Sequence, residues 1–379
     1  MEEQASAEPK VRLELREAYA QFFSTWQDGK QVGNPVFQRG ENGEVVMRWD
    51  NDHMLASSDG GKTWHEYRGR RLWPDDDSFG VFRVGDEWVS IRAGRAVRRS
   101  SDGGLTWSEP QPVAPAEDER YPKLNGPHVF SIEVTSKGRI IIPEDYLVGR
   151  EGPDPDVLYV NVSDDGGRTW QRSDVIKPPD LLPDAPEGFG EPAAVELAHG
   201  RIWMVFRALY GHLWQCDSDD GGLTWSDPCS TGLASPLSNV RVERVPGTDS
   251  VVLFWDFAQP GASTDFSECP SCWWPRAPLV FAVSHDNCVS WSHPAVITAG
   301  TGLYPAIHFA GEEMVVVYMS NSDPAVAAGA DYGLTLVVYD TQKVLNQPTW
   351  TRETIQPYIV EGRMAHWLAE RCLRAAVAK

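Results

Sequence analysis

This sequence of 379 residues has little cysteine, a deficit of basic side chains and no long apolar run. Six scattered cysteines form no dense framework, which excludes a small disulfide-stapled scaffold. With 34 Lys and Arg against 54 Asp and Glu, the net charge of −20 repels nucleic acids and anionic lipids. No run of 18 apolar residues occurs, and the acidic start, 1–4, has no hydrophobic signal region. We therefore expect a soluble, cytoplasmic protein from the chain as it stands, although a trimmed signal peptide would leave the same sequence.

What the sequence does contain is a repeated octet, Ser-x-Asp-x-Gly-x-Thr-Trp. Its copies are 57–64, 100–107, 163–170, 218–225 and, in degraded form, 284–291. A spacing of tens of residues leaves room for one four-stranded sheet per repeat. Each octet predicts a hairpin turn, because Asp can accept backbone N–H bonds and Gly tolerates a positive φ. The Trp that follows is available to fill the space between neighbouring sheets.

These octets resemble the Asp-box repeats of the sialidase (neuraminidase) superfamily, whose members are six-bladed β-propellers. The resemblance covers roughly residues 30–340 and implies an all-β fold, a six-bladed β-propeller of four-stranded antiparallel blades with the boxes at outer turns. It predicts one domain over 1–379, with the propeller in 11–360. The alternating segment 11–15 would close the ring by joining the sixth blade, which has no readable box. Residues 363–379 are expected to form a short amphipathic helix that packs on the propeller or contacts another subunit.

Polar residues recur where the second strand of each blade is expected to end. Counting seven positions on from the turn residue of each blade gives Asp50, Arg92, Asp145, Arg207, Asp256 and Tyr318. The starts of the first strands give a second ring, Asn34, His128, Glu191 and Tyr304. A solvated rim would produce part of this pattern. Equivalent positions in equivalent blades share one face, however, so we expect these side chains to converge on a central cleft.

Three segments resemble the catalytic segments of sialidases, and they occur in the family's order. Segment 190–207 is similar to the one that supplies a Glu and an Arg, here Glu191 and Arg207. Arg276 stands eight residues before the fifth box, as another family arginine does, and 302–306 resembles the segment that carries the nucleophilic Tyr. The resemblance implies that Tyr304 is the nucleophile, Glu191 its base, and Arg207 and Arg276 a clamp for the substrate carboxylate.

The implied chemistry is consistent with these residue types. A sialic acid carries a carboxylate on its anomeric carbon, which would repel an Asp or Glu nucleophile, whereas a Tyr activated by a neighbouring Glu avoids that repulsion. Guanidinium groups hold a carboxylate by paired, charge-assisted hydrogen bonds. The resemblance thus implies an exo-glycosidase that removes a terminal acidic sugar from a glycan with retention, without a metal or cofactor.

Two positions depart from the family pattern. Segment 33–35, Gly-Asn-Pro, stands where the family's Arg-Ile-Pro supplies a first arginine, and we expect Arg92 to replace that cation. The general acid has no clear motif, so Asp50 is the best-placed candidate, with Asp52 behind it. Asp145 is predicted to contact the substrate.

The sequence leaves several alternatives open. The protein could be a related propeller glycosidase that acts on a different sugar, or a propeller that binds glycans without cleaving them. Cys269 and Cys272 have the spacing of a metal knuckle, with His285 and Cys288 as further possible ligands. A local disulfide or free thiols would give the same pattern. The oligomeric state is not predicted.

Overall fold

A computed structural model describes residues 10–15, 36–48, 54–74, 78–92, 96–113, 128–129, 131–146, 156–179, 188–208, 211–257, 276–321 and 333–348. Within these ranges the strands form six antiparallel sheets, which are the blades of a β-propeller. The predicted fold class is therefore confirmed. Helical structure in the described ranges is confined to a single 3-10 turn, Ala198–Gly200, and helix α1, Thr341–Leu345.

Each blade is built from strands that follow one another along the chain and pair with their neighbours. Blades 1 and 2 contain β2 (Val36–Arg39), β3 (Val45–Arg48), β4 (Met54–Ser57) and β5 (His65–Glu66), then β6 (Ser78–Val84), β7 (Glu87–Arg92), β8 (Ala96–Ser100) and β9 (Gln111–Pro112). Blades 3 and 4 contain β10 (His128–Val129), β11 (Glu133–Val134), β12 (Ile140–Tyr146), β13 (Val157–Ser163) and β14 (Gln171–Arg172), then β15 (Phe189–Glu196), β16 (Ile202–Ala208), β17 (His212–Ser218) and β18 (Cys229–Ala234). Blades 5 and 6 contain β19 (Arg241–Arg244), β20 (Val251–Asp256), β21 (Leu279–Ser284) and β22 (Ala295–Thr298), then β23 (Thr301–Ala310), β24 (Glu313–Asn321), β25 (Gly333–Asp340) and β1 (Val11–Leu15).

The ring closes as the sequence predicts. Strand β1 pairs antiparallel with β25, with Val11 opposite Val338 and Leu15 opposite Leu334. An N-terminal strand thus completes the last blade, and this removes the exposed edge that an open sheet would present.

Two blades depart from simple repetition. In blade 3 the first strand is divided into β10 and β11, which both pair with β12, so this sheet counts five strands. Blade 6 continues from β25 into helix α1, where the other blades have an octet. The Asp340 side chain caps this helix by accepting the N–H groups of Gln342 and Lys343. The segment 363–379, predicted to be helical, lies outside the described residues.

The octets are hairpin turns between the third and fourth strands, as predicted. In the first, Asp59 accepts the N–H of Lys62 at 3.0 Å, the N–H of Thr63 at 2.9 Å and the Thr63 hydroxyl at 2.6 Å. Trp64 packs against the apolar cluster of the preceding blade. In the degraded copy Cys288 takes the position of the second Gly with φ 64° and is buried.

The core consists of apolar layers between adjacent blades. Between blades 5 and 6, for example, Phe254 and Phe281 are packed with Val316 and Tyr339, and all four are at most 1% exposed. Burial of each such side chain contributes about 1.5–3 kcal/mol. Because both faces of a blade are covered in this way, the strands read as nearly continuous apolar runs and their ends carry the polar residues. No helix in the described ranges has the length and apolarity needed to cross a membrane.

Candidate active site

The first strands of blades 4 and 6 each contain a β-bulge near their start. The register of β15 against β16 shifts between Gly190 and Ala193, and that of β23 against β24 shifts between Leu303 and Ala306. Glu191 and Tyr304 lie within the two bulges in left-handed conformations, with φ of 46° and 51°. Such backbone costs on the order of 1–3 kcal/mol per residue and clusters at functional sites. A bulge also re-aims a side chain, and here the two re-aimed side chains meet.

Glu191 connects Tyr304 to Arg207. The Tyr304 hydroxyl donates to Glu191 Oε1 over 3.4 Å, a long and weak hydrogen bond, and Arg207 Nη1 lies 2.9 Å from the same oxygen. Glu191 is 3% exposed, and its Oε2 is buried without a hydrogen-bond partner in the described part of the chain. One carboxylate oxygen is thus neutralised by a guanidinium, and the other keeps its capacity to accept a proton.

Tyr304 is half-buried, and its hydroxyl is hard to ionise in this state. Burial and the adjacent Glu191 charge raise the pKa of Tyr304 to about 12, although Arg276 and Arg207 oppose the shift. The opposing effect of Arg276 includes a side-chain hydrogen bond with Tyr304. The structure therefore brings together the four residues that carry the sialidase resemblance.

Asp145 lies behind the backbone of the Glu191 bulge. It is 1% exposed, and its Oδ2 accepts the Glu191 N–H at 2.9 Å. A Cβ atom placed on Gly190 would lie 3.1 Å from Arg207 Nε and 3.3 Å from Asp145 Oδ2. Gly190 therefore lets both charged groups approach the main chain, and the sequence did not single it out.

Asp256 was in the predicted ring but was not selected as a site residue. It ends β20 and is fully buried, and burial raises the pKa of Asp256 well above its ordinary value. The charge of Arg276, itself 5% exposed, and the Ser238 hydroxyl oppose that shift. Arg276 thus acts electrostatically on both Tyr304 and Asp256. The count of seven residues from the turn had placed Asp256 in the ring. It was not selected because it matches no catalytic residue of the sialidase segments.

A cavity of about 200 Å³ opens along the first strands. Tyr304 lines it together with residues of four other blades, Val36, Gly80, Ile132 and Asn239. Asn239 is a second residue that sequence reasoning missed, because no Pro follows it to mark the start of the strand as in 191–192 and 304–305. Of the polar residues that were expected to converge on a central cleft, Tyr304 lines this cavity.

Tyr318, another member of the predicted ring, is fully buried in the apolar layer between blades 5 and 6, and the other predicted residues are not placed by the structure. Asp50, Asp52 and Asn34 lie outside the described residues, and of Arg92 and His128 only the backbone is described, at the end of β7 and in β10. The general acid and the replacement cation therefore stay predictions.

The suggested metal knuckle is described only in part. Cys269 and Cys272 lie outside the described residues, whereas both ring nitrogens of His285 contact oxygens, Ser250 Oγ at 2.8 Å and the Leu345 carbonyl at 3.0 Å. Cys288 is a buried free thiol. Within the described ranges no group of three His, Cys, Asp or Glu side chains could hold a metal ion.

Residues 20–317 match the family model described as a BNR repeat-like domain. A xyloglucanase of Paenibacillus sp is 23% identical over 286 residues, 66% of this chain and 24% of the relative, so the chain spans about a quarter of that protein's length. Among solved structures, a Hadza microbial sialidase has a TM-score of 0.55 at 15% identity, covering 84% of this chain and 67% of the other. The intramolecular trans-sialidase of Ruminococcus gnavus has a TM-score of 0.52 at 14% identity, covering 84% and 96%. At these identities the structural likeness shows the fold.

Proposed function

This chain belongs to the family of BNR repeat-like domains, and we propose from its Tyr304–Glu191 pair that it is a glycoside hydrolase of sialidase type. The substrate is a glycan with a terminal acidic sugar, and the reaction retains the anomeric configuration. The glycosidase names of its relatives support the reaction class.

The observation that carries this proposal is the contact of Tyr304 with Glu191 inside a set of buried charges. A lone buried Glu would be costly, but here Arg207 pairs with it and Asp145 accepts its backbone N–H. Both residues lie in β-bulges with a left-handed backbone. A structural ion pair alone gives no reason to place a Tyr hydroxyl on the carboxylate.

In the proposed first step Tyr304 Oη attacks the anomeric carbon and its proton passes to Glu191. The bond from that carbon to the leaving oxygen breaks, and the leaving oxygen takes a proton from a general acid, for which Asp50 is the candidate. Water then attacks the glycosyl-tyrosine carbon, gives a proton back to that acid's conjugate base, and releases the sugar as Tyr304 regains its proton from Glu191. Arg207 and Arg276 hold the substrate carboxylate during both steps, and Arg92 is the candidate third cation.

The test is hydrolysis of a fluorogenic sialoside, followed by a panel of other aryl glycosides. Tyr304→Phe should abolish the covalent route, and Glu191→Gln should cost nearly as much because the pair acts as a unit. Tyr67→Phe is the matched control, since the Tyr67 hydroxyl bonds only to backbone in blade 1: it donates to the Arg70 carbonyl at 2.6 Å and accepts the Glu41 N–H at 3.3 Å. It should keep wild-type kinetics.

A substrate with fluorine next to the anomeric centre should leave the sugar attached to Tyr304, seen as a mass increase of the peptide that contains it. Retained activity in Tyr304→Phe, or a label on Asp145, would show that the chain shares the fold of sialidases and not their mechanism.

The charges beside Tyr304 favour one alternative, a related glycosidase that acts on a less acidic sugar. Next to the buried Glu191 and Asp145 lie the buried Arg207 and Arg276, and Arg207 already pairs with Glu191. A carboxylate added to this set is less well compensated than it would be by three arginines. Hydrolysis of a neutral glycoside together with inertness toward the sialoside would establish this alternative.

A further inference from the structure

Blade 5 brings polar groups to the cleft that the proposed reaction does not use. Asn239 is 5% exposed, and its Oδ1 is buried without a hydrogen-bond partner. Asp256 is fully buried, and neither of its carboxyl oxygens has a partner of regular geometry anywhere in the described ranges. Buried polar atoms are rarely left without a partner, because each carries its full desolvation penalty. Because Asn239 also lines the cavity beside Tyr304, its unpaired oxygen indicates that a ligand supplies the missing hydrogen bond.

Asn239 and Asp256 come from the two sides of the first hairpin of blade 5. Asn239 lies two residues before β19, and Asp256 ends β20, whose ladder with β19 runs from Arg241–Phe254 to Arg244–Val251. Ser238, next to Asn239, acts on the Asp256 carboxyl group, which agrees with this placement.

The position of Asn239 in the cleft connects this pair to the reaction centre. Asn239 and Tyr304 line the same cavity. The positive charge of Arg276 lowers the pKa of both Tyr304 and Asp256 against the effect of burial. A sugar whose anomeric carbon lay at Tyr304 would therefore present another part of its ring to Asn239.

We propose that Asn239 forms a subsite that binds one hydroxyl group of the sugar held at Tyr304. The unpaired Asn239 Oδ1 accepts a hydrogen bond, and the hydroxyl groups of a sugar are its most numerous donors. Loss of such a hydroxyl leaves the buried amide without its partner, which is why a site of this type discriminates strongly against the deoxy analogue. The inference rests on the proposed function only in taking the Tyr304 cleft as a sugar site.

The test measures equilibrium binding, not turnover. N-acetylneuraminic acid, D-galactose and D-xylose are titrated into the full chain by calorimetry, followed by the single-deoxy derivatives of each sugar that binds. We expect one deoxy derivative to bind the wild type about tenfold more weakly than its parent. Asn239→Ala should weaken the parent by about tenfold and bind the parent and that derivative equally. Asn239→Ser, whose short hydroxyl cannot reach as far, carries the same expectation if the Ala variant does not fold.

The matched control is Asn161→Ala, because Asn161 is equally buried but bonds to Arg172 within blade 3. It should keep wild-type affinity and discrimination. If no sugar in the series binds the wild type, or if Asn239→Ala discriminates as the wild type does, the subsite does not exist. If binding depends on Asn239 but no glycoside is cleaved, the subsite stands and the proposed hydrolysis fails.

Discussion

Gly190→Ala is the smallest change that tests whether the buried charges behind Glu191 serve the reaction. The added methyl carbon would lie 3.1 Å from Arg207 Nε and 3.3 Å from Asp145 Oδ2, so both groups must move by a few tenths of an ångström. Gly190 is not among the glycines with positive φ, and an alanine can therefore adopt its backbone conformation. The substitution perturbs side-chain placement without straining the chain.

The expected size of the effect follows from these distances. Arg207 is 2.9 Å from Glu191 Oε1, and Asp145 Oδ2 is 2.9 Å from the Glu191 nitrogen, so displacing either one moves the Glu191 carboxylate relative to Tyr304. A misplacement of about 1 Å can cost roughly 10²-fold in rate. A few tenths of an ångström should therefore lower kcat by about threefold to tenfold, or roughly 0.7–1.4 kcal/mol in the barrier. Removing a glycine offsets part of any folding cost, so we expect the free energy of unfolding to change by about 1 kcal/mol or less.

The assay is initial-rate kinetics on the glycoside that the wild type hydrolyses, with kcat and KM determined separately, together with urea unfolding. The control is Gly103→Ala, in the second octet, where a Cβ would meet no atom within 4 Å but the φ of 78° strains an alanine, so the protein should lose stability and keep its kcat. A second measurement needs no substrate: the pH titration of Tyr304 absorbance, taken as the difference from Tyr304→Phe, should shift in Gly190→Ala. Wild-type kcat and an unshifted titration in a destabilised Gly190→Ala protein would refute the reasoning.

Two further predictions concern the arginines and Asp256. Arg207→Lys and Arg276→Lys should each reduce kcat/KM by an amount equivalent to about 2–4 kcal/mol, since an ammonium group cannot form the bidentate contact with a carboxylate. Arg92→Ala should have the same effect only if Arg92 is the third cation. Steady-state kinetics check this, and wild-type behaviour of Arg92→Ala removes that residue from the site. The pKa of Asp256 is raised above its ordinary 3.8, so the folded protein keeps a proton that the unfolded chain releases. The free energy of unfolding therefore falls as the pH rises from about 3.8 toward the pKa of the folded state. Asp256→Asn should therefore gain stability relative to the wild type as pH rises, by at most about 1.4 kcal/mol per pH unit; parallel urea-unfolding curves from pH 5 to 8 would contradict this.

Features that depend on neighbours in sequence were predictable, and those that depend on the closed ring were predictable only by resemblance. Each box is complete within eight residues, so the bonds from Asp59 to Thr63 could be anticipated from the octet alone. The Tyr304–Glu191 contact joins residues 113 positions apart, and only the likeness of their segments to a known family suggested it.

Glu191 and Tyr304 lie in bulges, where the register between paired strands shifts. The pattern of apolar residues does not show such shifts, so neither the bulges nor the role of Gly190 could be predicted. Asp256 and Asn239 show the same limit. The offset from the turn marked Asp256, but nothing in the sequence showed that Asn239 lines the same cavity as Tyr304. The six blades are equivalent in structure. A position that carries a matched residue in one blade should therefore be compared in the other five.

The high pKa of Tyr304 constrains how the proposed reaction can run. With a pKa of about 12, forming the free phenoxide at pH 7 costs about 7 kcal/mol, so attack and proton transfer to Glu191 must occur together. Arg207 Nη1 and the Tyr304 hydroxyl contact the same oxygen of Glu191, at 2.9 Å and 3.4 Å, so they compete for it. A substrate carboxylate that binds Arg207 would reduce that competition. The 3.4 Å contact with Tyr304 can then shorten into the hydrogen bond along which the proton moves.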